Sequence, residues 1–276
     1  MKDRKKVLFV NSEIYPYMSE TEISVVGRFL PQGIQERGKE IRSFMPKYGI
    51  INERRNQLHE VIRLSGMNLI INEIDRPLII KVSSISAARM QVYFIDNDDY
   101  FHRKFIYTDT HKKPFKDNDE RAIFFAKGVL ETVKKLRWNP DIIHCQGWIS
   151  HILPLYLKKA YSDDPIFSKS KVILSLYNEH LDMPFSNDFS KKILIKGVKP
   201  KDVEILKEAN GINLAKLAIN YSDGIIEGVK DLNSELTNHI KERKLEILPY
   251  VPIEKKEHTF VEKYNEFYDK FLSDAD

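Results

Sequence analysis

Residues 6–11, 23–37 and 41–45 constrain the fold of this chain more than any other part of it. The first and third are short apolar runs that end in polar or turn residues, the pattern of strands buried on both faces. The segment between them places Val26, Phe29, Leu30 and Ile34 at helical spacing, and Gly38 follows where a helix C-terminus favours a left-handed residue. Pro46 and Gly49 close the second strand. A strand, a helix and a strand in quick succession make a βαβ unit, which requires a parallel sheet and a right-handed crossover.

The same alternation returns after an interruption. Residues 58–64, 67–74, 77–84 and 91–96 are short β-rich runs separated by turn residues such as Ser65-Gly66 and Asp75-Arg76-Pro77. They read as an antiparallel excursion that rejoins the sheet at Val92-Tyr93-Phe94-Ile95. Residues 96–116 are polar and aromatic without a period, and we expect a surface loop there. Residues 119–137 carry the strongest helical signal, with Ala122, Phe125, Val129, Val133 and Leu136 on one face and Asp117 or Asn118 as the cap. Strands over 141–145, 171–177 and 224–229 alternate with helices over 149–160, 210–220 and 232–242, and residues 245–250 form a last strand. The fold class is therefore α/β: a Rossmann-like parallel sheet covered by helices on both faces, with an antiparallel β excursion.

A helical stripe of Phe260, Val261, Tyr264, Phe267, Tyr268 and Phe271 ends the sequence. So aromatic a face is costly to leave in water and must dock on something. We expect one domain over residues 1–276, made of an α/β body over 1–252 and an amphipathic helix over 258–273 docked on that body. The 276 residues, 42% of them hydrophobic, suffice for one sizeable core.

Composition narrows the partners. Lys and Arg number 44 against 40 Asp and Glu, a net charge of +4 without a clustered basic face, so nucleic acid is not expected. The lone Cys145 excludes an intramolecular disulfide. The apolar run Val7-Leu8-Phe9-Val10 is too short for a secretory signal, and no run reaches the length of a membrane helix. The expected location is the cytoplasm, without a membrane partner.

In an open parallel sheet, ligands bind beyond the carboxyl ends of the strands. The loops to inspect are residues 11–23, 146–150 and 178–186. They offer Glu13 and Tyr15, a carboxylate and an aromatic ring of the kind that recognises sugar hydroxyls and ring faces, or that merely holds the loop. Trp148 is either a stacking platform for a sugar or a core-filling residue at a helix start. Asn178, Glu179 and His180 stand at the mouth of the expected cleft. His144 beside Cys145 lacks a third orienting group and reads as packing rather than a nucleophile pair. Asp96, Asp98 and Asp99 lack the glycine and distal glutamate of a calcium loop and read as solvated.

At these loops the residues resemble a known family. Lys6-Val7-Leu8-Phe9-Val10-Asn11-Ser12-Glu13-Ile14-Tyr15-Pro16 is similar to the opening of bacterial glycogen and plant starch synthases. The resemblance runs on through Val26-Gly27-Arg28-Phe29-Leu30-Pro31 and Met45-Pro46-Lys47-Tyr48-Gly49. It is strongest at Val92-Tyr93-Phe94-Ile95-Asp96-Asn97, Asp117-Asn118-Asp119-Glu120-Arg121 and Pro140-Asp141-Ile142-Ile143-His144-Cys145, includes Trp148 and Leu153-Pro154-Leu155-Tyr156-Leu157, and weakens over 218–228. It implies half of a GT-B glycosyltransferase fold: the N-terminal, acceptor-side domain, whose counterpart domain binds ADP- or UDP-glucose.

The departures carry equal weight. After Pro16 the family has a Lys-Thr-Gly-Gly-Leu loop whose backbone approaches the donor phosphates. Here Tyr17-Met18-Ser19-Glu20-Thr21-Glu22-Ile23 has neither Gly nor Lys, and carries two carboxylates. The family's His-Asp-Trp-His is Gln146-Gly147-Trp148-Ile149, and its following His-Asn is Tyr177-Asn178, so an imidazole is missing from both places. With the donor-binding half also unmatched, we expect a chain that is non-catalytic alone and has a glucan-binding or regulatory role in glycogen metabolism. The cleft contacts would be Glu13, Tyr15, Trp148, Asn178 and Glu179, with no catalytic residue, cofactor or metal. The alternative is a glucosyltransferase from ADP-glucose or UDP-glucose to α-1,4-glucan, completed by a second chain. The implied partners are an α-glucan and either another protein or further copies of this chain in a homo-oligomer.

Overall fold

A computed structural model describes residues 4–254 and 258–273. In chain order its main elements are β1 (Lys6–Asn11), α1 (Glu22–Glu36), β2 (Glu40–Pro46), β3 (His59–Glu60), β4 (Met67–Ile71), β5 (Ile74–Ile85), β6 (Met90–Asp96), α2 (Asp98–Phe101) and α3 (Asn118–Lys135). There follow β7 (Ile142–Gln146), α4 (Leu153–Lys159), β8 (Lys171–Leu176), α5 (Phe189–Lys192), α6 (Gly211–Asn220), β9 (Gly224–Glu227), α7 (Ser234–Arg243), β10 (Glu246–Leu248) and α8 (Phe260–Ser273). The strands run in the order β10-β9-β8-β7-β1-β2-β6-β5-β3, with β4 paired to β5. From β10 to β6 every pairing is parallel, and β5 joins β6 antiparallel from Ile79↔Asp96 to Ile85↔Met90.

The two-residue period of the strands sorts their side chains onto two faces. Leu8, Val10, Ile143, Cys145, Val172 and Leu174 pack with α3, α4 and α6. Val7, Phe9, Ile142 and Ile173 pack on the other side with Val26, Leu30 and Ile34 of α1 and with Phe260, Val261, Tyr264, Phe267, Tyr268 and Leu272 of α8. The fit of α8 is close. A Cβ at Gly33 would lie 2.5 Å from Val261, and one at Gly224 would lie 2.5 Å from Phe271. At the rim of this contact the Lys39 ammonium donates to Asn265 Oδ1 at 2.7 Å and pairs with Asp269 at 2.7 Å. Beneath it, the Tyr268 hydroxyl lies 2.8 Å from His144 Nδ1, whose Nε2 lies 2.7 Å from Ser175 Oγ.

Three local expectations change. Residues 96–116 are not a simple surface loop: Asn97 caps the short α2, and Tyr100, Phe101 and Tyr107 are buried. Tyr107 reaches Tyr48 hydroxyl to hydroxyl at 2.8 Å, and Arg121 Nε donates to the Tyr100 carbonyl at 2.8 Å. Asp117 stands at the N-cap position of α3, as expected, but makes no side-chain cap bond, and Asn118 is the first helical residue. Asp117 pairs with Arg103, while Asn118 donates to the Tyr107 carbonyl at 3.0 Å and accepts from Arg121 at 2.7 Å. The run 58–64 yields only the two residues of β3, since Leu64 and Ser65 N–H groups turn back to the Val61 carbonyl. No helix among the described residues is long and apolar enough to cross a membrane.

Candidate functional site

The carboxyl ends of β1, β7 and β8 open into one small cavity. Ser12 and Glu13 come from the end of β1, Ile23 from the first turn of α1, and Gly147, Trp148 and His151 from the turn after β7. Tyr177, Glu179 and His180 follow β8, and Tyr107 closes the side. The enclosed space is about 10 Å³, room for one water-sized group. Gly147 makes the turn possible. Its φ of +83° suits glycine, and a Cβ there would collide with Ser12 Oγ. The turn is tied to α1 by Gln146, whose Nε2 donates to the Ile23 carbonyl at 2.6 Å.

The first turn of α1, which brings Ile23 to this cavity, carries its own cap. Thr21 Oγ1 accepts from the Ser24 N–H at 3.1 Å, and Ser24 Oγ accepts from the Thr21 N–H at 2.8 Å, a reciprocal capping box. The Thr21 hydroxyl also donates to Glu13 Oε2 at 3.1 Å. Around this helix end three carboxylates accumulate. Burial raises the Glu13 carboxyl above its ordinary range, and the nearby Glu179 raises it further, against a lowering by Thr21. Glu179, on the exposed rim, is raised by partial desolvation and then by Glu22. A helix N-terminus ordinarily attracts anions; this one is capped and ringed with negative charge.

Deeper in, the polar groups lack partners. Trp148 Nε1, both ring nitrogens of His151 and the Tyr177 hydroxyl are buried and make no hydrogen bond within the protein. Each such group costs about 1–3 kcal/mol when nothing satisfies it. Burial drives the pKa of His151 down to about 3. It is a neutral imidazole. Trp148 packs edge-on against Tyr107, at 5.0 Å between centroids, and at a tilt against Phe185, at 5.7 Å.

The family profile described as the starch synthase catalytic domain matches residues 6–247. The chain belongs to this family. Among curated relatives, the glycogen synthase of Chlorobium limicola is 40% identical over 223 residues, which are 79% of this chain and 44% of that protein. The glycogen synthase of Chlorobium phaeovibrioides is 32% identical over 237 residues, 84% of this chain and 47% of the relative. The chain thus spans less than half the length of these relatives. Among solved structures, the catalytic domain of Starch Synthase IV from Arabidopsis thaliana superposes with a TM-score of 0.69 at 16% identity, over 90% of this chain and 52% of that one. The Rossmann-like α/β fold is that of half of such a catalytic domain.

Within this starch-synthase fold the five residues singled out in the sequence separate. Glu13, Trp148 and Glu179 line the cavity. Tyr15 does not: its ring is 39% exposed outside it, and its backbone N–H binds the Ser24 carbonyl. Asn178 is a tie between loops, donating to the Asp231 carbonyl at 2.7 Å and accepting from the Asn233 N–H at 2.8 Å. Trp148 offers no open ring face, since only 5% of it is exposed. Cys145 packs into the cluster under α3, α4 and α6, whereas His144 on the opposite face of β7 meets Phe9 and Tyr268, so they form no pair. Asp96 is buried against Lys81 at 2.9 Å and Asp99 pairs with Arg76. Among the described residues no group of three or more His, Cys, Asp and Glu side chains could hold a metal ion.

The sequence reading missed His151. It lies two positions beyond Ile149, where the family places its histidine, yet it brings an imidazole to the same cavity. The signal was its spacing of three from Trp148, which puts both rings on one side of a helical turn.

Proposed function

We propose that this chain is a glycogen/starch-synthase-like acceptor-side domain of the cytoplasm that recognises an α-glucan and does not transfer glucose by itself. The observation that carries this reading is the first turn of α1. The Thr21–Ser24 capping box takes the Thr21 and Ser24 N–H groups, and Glu13, Glu22 and Glu179 surround it. A diphosphate brought there would meet three carboxylates at a helix end that is already capped. A neutral polyol meets acceptors for its hydroxyl protons instead. The Arabidopsis neighbour is bound to ADP and acarbose, which sets a nucleotide against a saccharide as the ligands to compare.

The match to a catalytic-domain family over residues 6–247 favours a second reading. In it the chain supplies one half of a glucosyltransferase acting from ADP-glucose or UDP-glucose to α-1,4-glucan, with a second chain supplying the donor half. Isothermal titration with maltoheptaose, ADP-glucose and UDP-glucose, beside a radiolabelled transfer assay, separates the two. Binding of maltoheptaose without nucleotide-sugar binding or transfer is expected. Donor binding accompanied by transfer would refute the non-catalytic reading, and silence toward maltoheptaose would refute the glucan.

A further inference from the structure

We propose that the groove between the tip of the β4–β5 hairpin and the turn after α5 is a docking surface for an acidic, amphipathic segment of a partner protein. The groove shares no lining residue with the strand-end cavity and stands apart from the glucan reading. Its near wall is the hairpin. Ile71 pairs with Ile74 across a tight turn in which Asn72 and Glu73 take φ of +49° and +64°, the backbone of a two-residue hairpin loop. That turn leaves Ile70 at the rim, 61% exposed. Lys127 of α3 stands at the base, and Lys191, Leu194, Ile195 and Lys196 form the far wall. The space between is about 570 Å³, within the range of sites that bury a ligand.

The charges of this groove do not cancel within the protein. Lys192, which also lines it, is already engaged: its ammonium lies 3.0 Å from Glu120 and 3.3 Å from both Asp119 and Asp188. Lys127, Lys191 and Lys196 make no ion pair among the described residues. The Lys127 ammonium donates to the Ile70 carbonyl at 2.6 Å, and burial lowers its pKa against a weaker pull from Glu131, as befits a cation short of counter-charge. Against these three ammoniums the lining offers one carboxylate outside an ion pair, Glu73. The complement of such a rim is negative. The floor asks for more than charge, since Leu194 and Ile195 are only partly buried and Ile70 stands largely in water. An inorganic anion would meet the lysines and leave Ile70 wet, whereas an uncharged apolar segment would leave the lysines unmet. A peptide with Leu or Ile on one face and carboxylates beside them covers both, in the way an amphipathic helix lies in a groove.

The test titrates the full chain, labelled with ¹⁵N, with a synthetic peptide of Glu and Leu at helical spacing. An all-Glu peptide of equal length, a Lys and Leu peptide and inorganic pyrophosphate are the comparisons. The Glu–Leu peptide should move the amide resonances of Ile70, Leu194 and Ile195 and leave those of Gly147 and Glu179, at the strand-end cavity, in place. It should bind about tenfold more tightly than the all-Glu peptide, the gain from covering one aliphatic side chain. Ile70→Ser should erase that advantage. Lys191→Glu with Lys196→Glu should weaken the Glu–Leu peptide about tenfold at low salt, and less as salt rises. All three side chains are exposed, so these variants leave the core untouched. Equal binding of the all-Glu peptide or pyrophosphate at the same amides would make the groove a general anion site and overturn the inference. Equal binding of the Lys–Leu peptide, or unmoved Ile70, Leu194 and Ile195 amides at millimolar Glu–Leu peptide, would overturn it too. The maltoheptaose titration is unaffected by any of these results.

Discussion

Two histidines, His144 and His151, are buried so completely that protonation must be resisted by the fold, and this makes stability depend on acidity in a calculable way. Burial lowers both pKa values to about 3, whereas an unfolded chain binds the proton near 6.5. Between those values the unfolded state carries protons that the folded state refuses. The sign follows: the histidine contribution is fully present above about pH 6.5 and is lost progressively as pH falls toward 3. From pH 7 to pH 5 the linkage relation gives a loss of about 2 kcal/mol for each histidine, or about 4 kcal/mol for the two. The carboxyls of Glu13, Asp96, Asp119 and Glu179 are raised by burial and act in the opposite sense. A single curve therefore does not isolate the effect, but a difference between variants does. Urea unfolding of wild type and His151→Gln at pH 7, 6 and 5 should show the variant losing about 2 kcal/mol less over that range. Curves that stay parallel to within about 0.5 kcal/mol, on the order of the extrapolation error, would refute the reasoning.

Two further outcomes follow from contacts described above. Tyr268→Phe keeps the buried ring of α8 but deprives His144 Nδ1 of its partner at 2.8 Å, and should cost about 1–3 kcal/mol in urea unfolding; a loss below a few tenths would show that the bond contributes nothing. Gly147→Ala forces a side chain into a turn with φ of +83° and against Ser12 Oγ, and should lower stability by about 2 kcal/mol or more, so a melting temperature equal to wild type would contradict the close approach of this turn to Ser12.

The sheet was legible in the sequence because its strands are short, apolar on both sides and separated by helices with a clean 3.6-residue period. Val26, Leu30 and Ile34 announced α1, and Val129 and Val133 announced α3. What had no period could not be read. Tyr100, Phe101 and Tyr107 are buried by partners distant in sequence, among them Arg121 and Tyr48, and nothing local to residues 96–116 records that. The cap position of α3 was legible at Asp117, but not that its carboxylate would turn to Arg103 instead of to the helix N–H groups, since that partner lies in another segment. At the cleft, Glu13, Trp148 and Glu179 follow from the rule that ligands bind beyond strand ends. Tyr15 and Asn178 satisfy the same rule but point elsewhere, since the rule locates loops and not side-chain directions. His151 escaped because a motif comparison asks which residue replaces which, while a helical turn lets a residue three positions from Trp148 line the same cavity.

The docking of α8 also sets an order of events. Its contacts with the first βα unit join residues as far apart as Lys39 and Asn265, separated by 226 positions. Closing so long a loop is entropically slow, so this packing forms late in folding. Until it does, the sheet face of Val7, Phe9, Ile142 and Ile173 is covered by α1 alone and part of it stays open to water. A face that is fully buried in the finished molecule is therefore open to aggregation until its last helix docks.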